Sequence, residues 1–177
     1  MPKNRLAILA TFVSVAVVSI AYAQQKPASP PGEASFKFDD GKTVTIQYSR
    51  PSMRGRKIFG GLVPYDQVWR TGANAATSLK TDVALTIGGA SVPAGSYTLY
   101  TLPGMTAWKL IINKQTGQWG TEYSEGQDLA RVDMKVTQRP SGLELFTISF
   151  DKTSGDSATL KLEWENTIAS VPVKEKK

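Results

Sequence analysis

Residues 48–77, YSRPSMRGRKIFGGLVPYDQVWRTGANAAT, hold the side chains of this chain best equipped to grip a ligand. They carry Arg50, Arg54, Arg56, Lys57 and Arg70 against one acid, Asp66. A guanidinium is a rigid fork of donors that matches carboxylate, phosphate or sulfate. Tyr48, Phe59, Tyr65 and Trp69 add rings whose faces suit a sugar or another flat ligand. Asn74 both donates and accepts, so it can orient a ligand or cap the loop through the backbone. Arg50, Arg56, Lys57, Trp69, Arg70 and Asn74 are therefore the candidate ligand-binding residues. A structural alternative stays open, in which the arginines donate to loop carbonyls and the rings plug one end of the fold.

What the chain lacks narrows its chemistry further. It has no cysteine and no histidine. Disulfides, zinc–thiolate sites, iron–sulfur clusters and thiol nucleophiles are excluded. So are Ser–His–Asp catalysis, HExxH zinc sites and haem on a proximal histidine. Acid–base work by paired carboxylates needs two of them about one substrate, and the acids here are scattered. Glu163 and Glu165 read as the solvated face of a strand. Asp39-Asp40-Gly41-Lys42 and residues 151–156 read as turns. Asp66, the one acid in the unusual segment, is the carboxylate to consider for catalysis. No catalytic residue, metal site or cofactor is assigned.

The elements that must position this segment are strands. Apolar and polar residues alternate through 42–48, 83–87, 96–102, 108–112, 131–136, 146–150 and 158–165, the two-residue period of a half-buried strand. Gly88-Gly89 between two such runs predicts a tight hairpin. Residues 167–173 make a last strand, at an edge because of Pro172. No long run has a helical period; residues 65–69 or 128–131 form a turn of helix at most. Eight or nine short strands with one long Arg/Gly-rich loop predict an all-β fold, an antiparallel β-sandwich of jelly-roll or immunoglobulin type in two packed sheets. Trp108, Trp119 and Trp164 are expected in the core or at sheet ends.

The N-terminus has the layout of a secretory signal. Lys3 and Arg5 precede an apolar run over residues 6–20, and Ala21-Tyr22-Ala23 is a small-x-small cleavage site. Residues 1–23 are expected to be removed. Residues 24–35, QQKPASPPGEAS, read as a proline-rich tether, 36–173 as one β domain and 174–177 as a polar tail. The formal net charge of +6 includes Lys3 and Arg5, so the exported part keeps a mild positive excess. Without a Lys/Arg run, that excess does not predict a nucleic-acid partner. No membrane span is expected once the signal is cut, and the destination is the periplasm or the exterior.

The segment also carries a resemblance. Ser49-Arg50-Pro51-Ser52, Gly55-Arg56-Lys57-Ile58-Phe59-Gly60, Val63-Pro64-Tyr65 and Val68-Trp69-Arg70-Thr71-Gly72-Ala73-Asn74 are similar to the signature of an exported bacterial family catalogued as domain of unknown function 2911. Val92-Pro93-Ala94-Gly95-Ser96-Tyr97, Trp108, Ile112-Asn113-Lys114, Gln118-Trp119-Gly120 and Leu162-Glu163-Trp164 resemble it too, over about residues 36–173. The resemblance implies no activity. Many relatives carry Glu after Gly-Ala-Asn, where this chain has Ala75. The reading that follows is an exported, non-enzymatic binding module for an anionic or carbohydrate ligand. The alternatives are an envelope protein-interaction domain and a hydrolase that works without histidine.

Overall fold

The computed structural model describes residues 29–177. The expected signal peptide and the start of the tether lie outside the described residues. The fold is all-β and antiparallel, with nine strands among the described residues: β1 (Pro31–Lys37), β2 (Thr43–Ser49), β3 (Thr77–Thr81), β4 (Leu85–Ile87), β5 (Ala90–Val92), β6 (Gly95–Pro103), β7 (Trp108–Asn113), β8 (Asp128–Lys152) and β9 (Ser157–Glu175). They form one hydrogen-bonded sheet in the order β1-β2-β3-β6-β7-β8-β9-β4-β5. The two separate sheets of the sequence reading are thus joined. The reason is β8: its first residues pair with β7 and the rest with β9.

Alternation works where it was read. β2 buries Val44, Ile46 and Tyr48, and β4 buries Leu85 and Ile87. Gly88 (φ 55°) and Gly89 (φ 90°) join β4 to β5, the positive-φ pair that a two-residue hairpin demands. Rings of β1 and β2 meet those of β8, four or more strands away in the sheet, across the core. Phe36 lies 6.3 Å from Phe150 and Tyr48 5.6 Å from Phe146. The Tyr48 hydroxyl accepts from the Ile148 N–H at 2.8 Å.

Five expectations are corrected. The tether ends earlier, because Pro31 opens β1, and Ala34 and Phe36 face the core; a proline is tolerated as the first residue of an edge strand. The polar tail shrinks as well: Lys174 pairs with Thr86, and Glu175 is buried with its N–H on the Asp156 carbonyl (2.8 Å). The short strands at 131–136 and 146–150 are parts of β8, and those at 158–165 and 167–173 are parts of β9. Pro140 and Gly142 look like a turn, but they sit in a bulge where pairing jumps from Gln138↔Thr167 to Leu143↔Glu165, a place that accepts residues a regular ladder rejects. Pro172 is interior, since β9 lies between β8 and β4; its carbonyl accepts from Gly88 (2.9 Å). Residues 128–131 are extended, and the 3₁₀ turn is at Glu125–Gln127.

Candidate functional site

The segment after β2 stays outside regular strands until β3, and it is pinned at both ends. Residues 51–53 lie along β8: Phe146 N–H donates to the Pro51 carbonyl (3.0 Å) and Met53 N–H to that of Glu144 (2.8 Å). This pairing fills the stretch where β8 leaves β9. At the other end Trp69 exchanges both backbone bonds with Thr101, at 2.8 and 2.9 Å. It takes the place beside β6 that β3 vacates beyond Thr77. Glu165 holds the middle, its carboxylate 3.4 Å from the Ile58 N–H and 3.5 Å from that of Phe59. Glu163 is buried against Arg139. Neither acid is on a solvated face, which corrects the strand reading of both.

The backbone here is strained. Arg54 (φ 50°), Asp66 (φ 58°), Thr71 (φ 55°) and Asn74 (φ 60°) all adopt left-handed conformations. Asn and Asp tolerate that region; a β-branched residue does so rarely, at a cost of about 1–3 kcal/mol. Thr71 is held there by burial and by hydroxyls. Its Oγ1 lies 3.1 Å from that of Thr101, and its carbonyl accepts from the Thr77 hydroxyl at 2.7 Å. All three threonines are fully buried. Strain retained by this much support is typical of a ligand-gripping segment.

The segment encloses a cleft of about 400 Å³. Arg54, Arg56, Trp69, Arg70 and Asn74 line it, Trp164 of β9 floors it, and no Asp or Glu is among its described lining residues. Trp69 stacks on Trp164 at 5.8 Å with planes 17° apart, and meets Phe59 and Phe146 edge-on. The rings are therefore fixed by the core. Arg70 is half-buried. Its Nε is shut off from solvent without a hydrogen-bond partner among the described residues, and none of the ion pairs there involves it. An arginine N–H left unpaired inside a protein costs about 1–3 kcal/mol.

Of the candidate residues, Arg56, Trp69, Arg70 and Asn74 converge on the cleft, and two do not. Arg50 serves the fold: its Nε donates to the Phe146 carbonyl (3.1 Å) and its Nη2 to the Thr147 hydroxyl (2.9 Å). Lys57 is exposed and lines no part of the cleft. Arg56 is partly structural, donating to the carbonyls of Met53 and Ser52 at 3.0 and 2.8 Å. Asp66 is exposed and outside the cleft, with its N–H on the Pro103 carbonyl (2.8 Å). Trp164 was missed as a site residue, since nothing local connects β9 with the loop. Trp119 is corrected the other way: it is 53% exposed beside Gly120.

Next to the cleft, Tyr123 donates to Asp128 (2.7 Å) and accepts from Arg131 (2.6 Å). Burial, then the Asp128 carboxylate, push its pKa from 10.0 up to about 12. Between those values the unfolded chain releases a proton that the folded chain keeps, so stability falls as pH rises through the window. Urea melts at about pH 9 and about pH 11 should show a smaller loss for Tyr123→Phe than for the wild type. Equal losses would exclude this group as the cause.

The chain matches the family described as Protein of unknown function (DUF2911) over residues 29–173, most of its length. No curated protein and no solved structure matches it.

Proposed function

We propose that this chain, which belongs to the family described as Protein of unknown function (DUF2911), is an exported, non-enzymatic binding module that takes a small anionic ligand in the cleft around Arg70. One observation carries this reading: among the described residues, a half-buried arginine has no acceptor, in an aromatic-floored cleft lined by two further arginines and by no acid. Such a site lacks a general base but supplies forked donors in a partly dehydrated setting, where charge-assisted bonds are strongest. The cleft volume lies in the range of small-molecule sites, about 300–1,000 Å³. Export is supported by the signal pattern of residues 1–23. The place of Asp66 outside the cleft weighs against a hydrolase built on that acid.

A thermal-shift panel of phosphate, sulfate, glucuronate and glucose tests this. An anion at a hundred times its Kd should stabilise the protein by about 2.7 kcal/mol, and Arg70→Ala should abolish the shift. No shift with any of them, or one that survives Arg70→Ala, refutes the reading. A docking surface for an envelope protein is the second reading. Leu62 (47% exposed) and Val68 (36%) at the cleft and the exposed Trp119 favour it. A stoichiometric partner recovered by wild type and lost with Trp119→Ala would support it.

A further inference from the structure

Val68, Trp69 and Arg70 line two cavities at once: the cleft, and a second of about 170 Å³ whose other walls are Tyr100, Gly120, Thr121 and Tyr123. We infer that the two are subsites of one site joined over Arg70, and that its ligand is an acidic disaccharide unit, with the carboxylate on the Arg70 guanidinium and a sugar ring on either side. The inference rests on the reading of the cleft as an anion site. It adds the second subsite and the ligand class.

Arg70 is built into the boundary between the cavities. Gly120 leaves room for its stem: a Cβ there would lie 2.6 Å from Arg70 Cδ and 2.7 Å from the Asn74 carbonyl oxygen. Gly120 N–H donates to that carbonyl at 3.1 Å, and Ala75 bridges to Trp119. The segment at 118–123 thus closes over the arginine and holds it in one place. A cation fixed between two cavities, with no hydrogen-bond or ion-pair partner among the described residues, calls for an anionic acceptor.

The second cavity suits a sugar ring better than a bare inorganic ion. Three of its lining residues are aromatic: Trp69, Tyr100 and Tyr123. Tyr100 and Tyr123 meet edge-on at 4.9 Å. Their hydroxyls are already engaged: Tyr100 donates to the Glu122 carbonyl (3.0 Å) and accepts from Gln118 (3.1 Å), and Tyr123 bridges Asp128 and Arg131. The rings are therefore rigid; Tyr100 is buried, and the half-buried Trp69 and Tyr123 supply the carbon surface, the partner for the C–H face of a pyranose. The exposed Thr121 at the rim is left for the sugar hydroxyls. The volume of about 170 Å³ equals roughly six waters at about 30 Å³ each, room for one six-membered ring. The larger cleft takes the other ring over Trp69. No Asp or Glu is among the described residues of either lining, and the Asp128 carboxylate behind Tyr123 is paired with Arg131.

Titration calorimetry with galacturonate, its α-1,4-linked dimer and neutral maltose tests the inference. The dimer should bind at least tenfold tighter than the monomer, and maltose at least tenfold weaker than the dimer. Thr121→Trp, which fills the small cavity from an exposed position, should bring the dimer down to the monomer's affinity. Arg70→Ala should weaken both acids at least tenfold. Arg70→Lys, which keeps the charge but loses the fork, should recover part of that loss. A dimer no tighter than the monomer, or a dimer advantage that survives Thr121→Trp, overturns the second subsite while the anion cleft stands. Maltose binding as tightly as the dimer, or phosphate binding where neither acid does, overturns the ligand class. Failure of every anion in the thermal-shift panel overturns the cleft reading itself.

Discussion

Trp164→Ala is expected to lower stability by about 3–5 kcal/mol, the usual cost of removing a buried tryptophan. For a domain of this size that is a melting temperature about 6–20 °C lower. Trp164 is 1% exposed and meets Phe59, Trp69 and Phe146 at ring distances of 6.3, 5.8 and 5.9 Å. Its Nε1 donates to the Glu144 carbonyl at 3.1 Å, but that carbonyl also accepts from Met53 (2.8 Å). The loss is therefore one of packing more than of hydrogen bonding. The segment after β2 and strand β8 both lean on this ring, so the neighbours cannot collapse into the hole without moving the loop. Trp119→Ala is the control: with that ring exposed, the change should stay within about 0.5 kcal/mol. A Trp164→Ala protein that melts with the Trp119→Ala protein would refute the account of the core. Since Trp164 floors the cleft, the variant should also lose ligand-induced stabilisation.

Arg50→Ala is expected to cost about 2–3 kcal/mol, because two bonds from a charged, half-buried donor are lost and the Phe146 carbonyl is deprived of a partner. The stem of Arg50 crosses Gly32, where a Cβ would lie 2.8 Å from its Cδ. The guanidinium thus ties β1 and β2 to β8 across the core. Lysine should not restore stability, since it lacks the fork that reaches Phe146 and Thr147 together. Arg56→Ala should cost less than about 1 kcal/mol, because its two bonds are exposed and close a local turn. Urea unfolding distinguishes them. Full rescue by Arg50→Lys, or equal losses at Arg50 and Arg56, would show that Arg50 is not the tie described.

Much of the strand content was legible because a half-buried strand repeats every two residues. Val44, Ile46 and Tyr48 are buried as a set, and Gly88-Gly89 turns where it should. The unusual loop was legible as a break in that period. The lengths of β8 and β9 were not: a bulge and a turn use the same residues, and Pro140 and Gly142 fit both. β1 was hidden by its prolines, although Ala34 and Phe36 alternate.

The site divides the same way. Arg50, Arg56 and Arg70 are alike in type and neighbourhood, yet one ties strands together, one closes a turn and one has no partner among the described residues. Local chemistry cannot separate them, because each fate depends on which carbonyls the folded chain brings within reach. By itself the sequence determined that the chain is all-β, that it carries no thiol or imidazole chemistry, and that its cations and rings gather after β2. These follow from residue type and short-range period. Only the tertiary structure decided that β9 supplies Trp164 as a floor, that Gly120 closes over Arg70, and that Asp66 and Lys57 stay outside. Those contacts join residues far apart in the chain, where no local period records them.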